Sequence, residues 1–286
     1  MKFSAIHLTL TLLFIFSCGQ ISENTFISKP DGLVSFKLSL DAGKVQVDDG
    51  DTFKVIDPEA DGEVKESKIR ILGIDTPEKG RIKGMEPYGL EATRFLEKKL
   101  EGLSEIEALL WSDSGIQRDP FGRILAEPFV NGEYPSRELL KNGLAISCFF
   151  SNSIALSEFL IPLQNEAISK KLGFWALNEG SNPDSSILLE RIIKNCDGIP
   201  GGSNLNMLGE SQLKQLPGMN ADMSKSLKEG LGEISSWQDL ELLMKKDTLF
   251  SDAFISNLKL LHDRGLFVLR ESNFGFGPIQ GVGVEK

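Results

Sequence analysis

Short strand-like runs, broken by only three helical stretches, set the strongest limit on how the first two thirds of this 286-residue chain can fold. Residues 34–40 and 44–47 alternate apolar and polar side chains, the period-two pattern of a strand with one buried face. Residues 52–56 continue as a strand. Residues 57–67, with Pro58, Asp61 and Gly62, read as an acidic turn, and residues 68–74 return as the partner strand. Residues 90–103 predict a helix whose apolar stripe is Leu90, Ala92, Phe95, Leu96, Leu100 and Leu103, with Gly102 at its end. Residues 106–111 and 123–130 are two further strands around a loop carrying Asp119-Pro120-Phe121-Gly122, and Asn131-Gly132 is a hairpin turn. Ser136 is placed to cap a short helix through Lys141, with Gly143 past its end. Residues 144–150 are strand-like, and a last helix runs to about Lys171, in which Pro162 fits only near the first turn. The expectation is an α+β domain.

Charged side chains stand at the edges of these strands in three separated motifs: Gly50-Asp51-Thr52, then Arg70-Ile71-Leu72-Gly73-Ile74-Asp75-Thr76-Pro77-Glu78, then Phe121-Gly122-Arg123. Carboxylates with backbone carbonyls suit a hard, oxygen-seeking cation. Two arginines match the equatorial oxygens of a phosphodiester, because each guanidinium offers a bidentate fork. A further carboxylate can orient or deprotonate a water. That inventory belongs to a metal-assisted phosphodiesterase. Each residue also has a plainer reading: Asp51 as a turn aspartate, Glu78 as a loop carboxylate, and either arginine as half of a surface ion pair.

At these residues, and in this order, the chain resembles the thermonuclease (staphylococcal-nuclease-like) family, across roughly residues 34–176. The resemblance implies a five-stranded OB-type β-barrel with about three helices packed on it. It implies Ca2+ held by Asp51, Asp75 and the backbone carbonyl of Thr76, with Asp49 supporting the site from behind. Arg70 and Arg123 would clamp the scissile phosphate, and Glu78 would act as general base on water. The implied reaction hydrolyses DNA or RNA at the 5′ P–O bond and leaves 3′-phosphate ends. Where family members often carry tyrosines against the base and the 5′ phosphate, this chain reads Pro120-Phe121 and Phe149-Phe150-Ser151. Phe121 and Phe149 are the corresponding substrate contacts, able to stack on a base but not to hydrogen-bond a phosphate.

The two ends of the chain read differently. Residues 1–18 carry Lys2, an apolar stretch over 6–16, and Ile15-Phe16-Ser17-Cys18, a pattern that looks like a bacterial lipoprotein signal. Cys18 is the candidate lipidation site, and polar residues 19–33 the tether of an exported protein anchored on an extracytoplasmic membrane face, the alternative being secretion. Cys148 and Cys196 can pair in an oxidising compartment, but Cys148 lies in an apolar run, and a small core residue is the preferred reading. Residues 34–180 carry 25 acidic and 18 basic side chains, a net of −7, so attraction for nucleic acid must be local, at Arg70, Arg123, Lys79, Arg81 and Lys83. Weak, salt-sensitive substrate binding is expected.

A nuclease-like domain over 34–177 is followed by a linker with a short helix (178–202), a second domain (203–266) and a flexible tail (267–286). Asn204-Leu205-Asn206, Leu216-Pro217-Gly218-Met219-Asn220 and Trp237-Gln238-Asp239-Leu240 resemble the helix-hairpin-helix repeats of competence-type DNA receptors. That implies a small all-α domain in which Gly218 and Asn220 meet a DNA phosphate, Asn220 standing where a second glycine is usual. A helical bundle without a DNA role is equally consistent, since residues 205–262 carry 8 acidic and 6 basic side chains. Two functional readings emerge: an anchored calcium-dependent nuclease, monomeric and without a protein partner, or an inactive surface lipoprotein that binds DNA.

Overall fold

A computed structural model describes residues 34–39, 45–57, 65–80, 86–103, 105–110, 117–150, 153–178, 196, 198–232 and 234–269. The signal and Cys18, the tether, Arg81, Lys83, the helix expected over 187–195 and most of the tail lie outside them. The strand-like runs form β1 (Val34–Ser39), β2 (Gln46–Asp49), β3 (Thr52–Asp57), β4 (Lys65–Ile71), β6 (Glu105–Leu110) and β7 (Ile124–Phe129) of one sheet. Its order is β1-β6-β7-β4-β3-β2, with β4 and β7 parallel and the other pairs antiparallel. The order begins and ends on β1 and β2, which are successive along the chain. Among the described residues, therefore, the architecture is α+β with six strands and no closed ladder, rather than five strands in a closed barrel. β4 starts at Lys65, three residues before the expected Lys68, because the backbone pairing with β3 extends to Asp57 opposite Lys65. Asn131 and Gly132 both take positive φ, 50° and 83°, as the two-residue turn after β7 demands.

Helix α1 (Gly89–Leu100) buries Gly89, Ala92, Thr93, Leu96 and Leu100 and carries Lys98 and Lys99 in its last turn, where the helix dipole favours cations. Leu90, assigned to the stripe from sequence, stays 38% exposed, because the buried face is centred on Ala92 and Leu96. Helices α2 (Pro135–Lys141) and α3 (Ser157–Lys170) follow. Pro162 sits further inside α3 than its first turn, and it is tolerated there on the exposed face.

A second, three-stranded sheet orders β5 (Ile74–Asp75), β8 (Ile146–Phe149) and β9 (Ile199–Pro200). Here the preferred reading of the cysteines is corrected. Cys148 on β8 is disulfide-bonded to Cys196, just before β9, and both are core residues packed with Ile146, Ala167, Phe174 and Trp175. Sequence offered the pairing but could not choose it, because it does not give the Cα–Cα distance, here 6.0 Å, on which a bridge depends. Buried Gln164 of α3 reinforces the junction: its amide oxygen accepts from the Ser147 N–H at 2.7 Å, and its amide nitrogen donates to the Gly201 carbonyl at 2.9 Å.

Beyond β9 lie the parallel pair β10 (Ser203–Asn204) and β11 (Phe267–Val268) and helices α4 (Glu210–Leu213), α5 (Ala221–Gly230), α6 (Trp237–Lys245) and α7 (Asp252–Asp263). The β10–β11 pair means that this part is not purely helical. Its core is built by Leu213, Leu216, Met223, Leu227, Leu240, Met244, Phe254 and Leu258. Among the described residues, no helix is long and apolar enough to cross a membrane.

Two outcomes follow from the packing. Replacing both cysteines by serine, or reducing them, should lower folding stability by about 4 kcal/mol, the cost of releasing a loop of this length, read by urea unfolding. Glu127 on β7 is fully buried, with Oε1 accepting from the Ser136 hydroxyl at 2.5 Å and Oε2 lacking a partner. Burial pushes its carboxyl up from 4.5 to about 8, against the opposing Ser136 hydrogen bond and Arg137 charge. The folded state then holds a proton that the unfolded chain has lost between those two values, so stability falls as pH rises through that window. Glu127→Gln should flatten that slope in unfolding midpoints measured across the window, whereas an unchanged slope would show that Glu127 is not its source.

Candidate active site

The β2–β3 hairpin turn presents Asp51, β4 presents Arg70, and β5 presents Asp75, so residues from three successive elements meet where the strands end. Arg70, only 8% exposed, reaches Asp51 Oδ2 with one terminal nitrogen at 2.6 Å and Asp75 Oδ1 with the other at 2.5 Å. Cross-strand pairing places Thr52 opposite Arg70, and the Thr52 hydroxyl donates to Asp51 Oδ1 at 2.9 Å. The Thr76 N–H donates to Asp51 Oδ2 at 2.9 Å. This approach requires Gly50: a Cβ there would lie 2.6 Å from the Ala92 Cβ and 2.9 Å from the Thr76 side chain.

Arg123 joins from the other side. Its Nη1 donates to the Thr52 hydroxyl at 3.3 Å, and its Nε to Asp119 Oδ2 at 2.5 Å. Asp119 Oδ1 also accepts the N–H groups of Phe121 and Arg123, both at 2.9 Å. A continuous chain of polar contacts thus runs from Asp119 through Arg123, Thr52, Asp51 and Arg70 to Asp75. Asp119 was read from sequence only as part of a loop, because a turn aspartate and an arginine-orienting aspartate look alike in a single chain.

The electrostatics divide the carboxylates. Burial raises the Asp51 carboxyl, but the Arg70 guanidinium and hydrogen bonds from Asp49, Thr76 and Thr52 outweigh it and hold Asp51 below its ordinary value. Asp49 is pushed up to about 8 by burial, by the Asp51 charge and by sharing a hydrogen bond with Asp51, against the pull of Arg70; the Glu78 charge adds to the rise. Asp49 and Glu78 are therefore within electrostatic reach of each other and of the cluster, and Asp51 is the ionised member of the Asp49–Asp51 pair.

The oxygen-only donors here suit a hard cation such as Ca2+. Thr76 Oγ1 is buried at the same place without a hydrogen-bond partner. Among the described residues, no group of three or more His, Cys, Asp or Glu side chains converges to hold a metal, so Asp51 and Asp75 would need backbone carbonyl and water oxygens to complete a shell.

The aromatic candidates separate. Phe121 is 79% exposed; the Arg123 guanidinium carbon lies over its ring, 5.4 Å from the centre, and most of the remaining ring surface is open. Phe149, by contrast, is fully buried in β8, where all four side chains face protein, which corrects its assignment as a substrate contact. In the C-terminal part, Gly218 takes the left-handed conformation at φ 79°, while Asn220 is extended and caps α5 by accepting the Met223 N–H. Asn220, which stands where the resembled repeats have a second glycine, thus has its side chain spent on the cap.

Comparison with known proteins agrees with this geometry. Residues 68–177 match the family described as staphylococcal nuclease homologue. The chain is 36% identical over 131 residues to endonuclease YncB of Bacillus subtilis (strain 168), covering 45% of this chain and 58% of that protein. It is 36% identical over 133 residues to the SPbeta prophage-derived endonuclease YokF of the same organism, covering 46% of this chain and 42% of that protein. The chain thus spans about half the length of these two relatives. To the thermonuclease of Staphylococcus hyicus it is 30% identical over 133 residues, 46% of this chain and 73% of that protein. With most of that thermonuclease covered, and with the Asp51, Arg70, Asp75 and Arg123 cluster assembled on an α+β frame, the chain belongs to the staphylococcal nuclease homologue family.

Proposed function

We propose that the protein is a calcium-dependent endonuclease that hydrolyses DNA or RNA to 3′-phosphate ends at the cluster centred on Arg70. The observation that carries this reading is the single buried guanidinium held between Asp51 and Asp75, with Arg123 one hydroxyl away. Asp51 and Asp75, with the Thr76 carbonyl, would hold the cation, which supplies positive charge to neutralise and template a bound phosphodiester. Arg70 and Arg123 present fixed donors to the non-bridging oxygens, where charge builds in the transition state. Asp119 restrains Arg123 before substrate arrives, so little reorganisation remains during reaction. Glu78 takes the proton from the attacking water. Phe121 offers a sequence-tolerant stacking face to an unpaired base.

We further read the chain as exported and held at an extracytoplasmic membrane face through Cys18. The Cys148–Cys196 disulfide supports this, because such bonds persist in oxidising compartments. The C-terminal helices, with the left-handed Gly218 between α4 and α5, are read as a helix-hairpin-helix-like DNA-holding unit.

Incubating the purified chain with denatured DNA and with RNA, in calcium or in chelator, tests the central reading. Cleavage is expected only with calcium, and Arg123→Ala should lower kcat by about 100- to 1,000-fold, as loss of one oxyanion donor does. A folded, calcium-loaded protein that cuts neither polymer would remove the proposal.

A further inference from the structure

We propose that Glu86 is a positioning residue for Glu78, fixing the direction in which the water-activating carboxylate is presented; this rests on reading Glu78 as the general base. Glu86 is a buried carboxylate, 3% exposed, outside the Arg70 cluster and eight residues beyond Glu78. Its Oε2 accepts the Glu78 N–H at 2.9 Å, and its own N–H donates to the Glu78 carbonyl at 2.9 Å. One residue therefore holds both backbone polar groups of Glu78.

The holder is itself fixed. The Glu86 carbonyl accepts the Gly89 N–H at 3.1 Å, at the start of α1. Gly89 packs so closely on the site segment that a Cβ there would lie 2.4 Å from the Glu78 carbonyl oxygen and 2.8 Å from that of Pro77. Between them Tyr88 takes φ 68°, a left-handed conformation that a non-glycine residue adopts only where its surroundings enforce it. Its ring lies edge-on to Phe174, 6.4 Å between centres, which anchors the turn to the core. The Thr93 hydroxyl donates to the Gly89 carbonyl at 2.8 Å and secures the first turn of the helix. Glu86 thus transmits the rigid α1 terminus to the backbone that carries the Glu78 carboxylate. A misplacement of about 1 Å in a reacting group is enough to cost about 100-fold in rate.

The test measures kcat and KM on denatured DNA at saturating calcium, using the full chain. The variants are Glu86→Ala, Glu86→Asp, Glu86→Gln, Glu78→Gln and the Glu78→Gln/Glu86→Ala double variant, each with its thermal melting curve. Glu86→Ala, and Glu86→Asp with its shorter reach, should lower kcat by about 10- to 100-fold at unchanged KM. Glu86→Gln, whose amide oxygen still accepts the Glu78 N–H, should restore kcat to near the wild-type value. In the Glu78→Gln background, Glu86→Ala should cause no further loss, because its effect passes through Glu78 alone. Wild-type kcat in folded Glu86→Ala overturns the proposal. So does an equal fractional loss in both backgrounds, or a folded Glu86→Gln as slow as Glu86→Asp. If Glu86→Ala does not fold, the Asp and Gln variants decide. An inactive wild type, or a fully active Glu78→Gln, instead overturns the underlying nuclease or general-base reading and takes this inference with it.

Discussion

Everything at the strand ends is organised around one buried cation, the Arg70 guanidinium between Asp51 and Asp75. Neither carboxylate belongs to the same strand as Arg70, so the pairing fixes a hairpin turn, a sheet strand and a short strand of the second sheet against one another. Burying such a triad is costly, and the interactions within it compensate only when the geometry is tight and the remaining lone pairs are satisfied. Thr52 and the Thr76 N–H meet that condition for Asp51. The same groups that stabilise the charge triad are those a phosphodiester and a cation would use, which places binding and folding in tension at one point. Replacing hydration by preorganised charges in this way is the usual arrangement of a phosphoryl-transfer site.

The C-terminal segment is not peripheral to this site. β8 pairs with β5, which carries Asp75, on one edge and with β9 on the other. The Cys148–Cys196 bond and the Gln164 amide lock β9 in place. Residues far along the sequence therefore support the strand that presents a candidate metal ligand. An oxidised disulfide thereby becomes a condition for a rigid site.

Much of the fold was legible because the runs that become β1 and β2 alternate apolar and polar side chains, because the later strands are short runs between turn residues, and because Asn131-Gly132 suits a tight hairpin turn. The cluster was legible because its members are charged residues at strand ends, where a solvated face has no need of them. Other features were hidden for physical reasons. β8 buries both faces, so its sequence has no alternation to say where Phe149 points. Leu90 lies one residue off the stripe that α1 buries, a rotation that spacing alone does not fix. Asn220 suits a left-handed turn and a helix cap equally well, and only packing chose the cap. Glu86 and Asp119 act on backbone N–H groups and on an arginine, partners that a single sequence does not reveal.

Charge explains why the site must be local. The chain is acidic overall, with a formal net charge of −10, and it gains little from long-range attraction to polyanions. On the proposed reading, affinity for a phosphodiester would come from Arg70 and Arg123 together with a cation at Asp51 and Asp75. Calorimetric titration of calcium into wild-type protein and into Asp75→Asn tests this account most directly. One calcium per wild-type chain, with binding lost in the variant while its fold is retained, is the predicted result. Equal binding by both proteins, or none by the wild type, would contradict it.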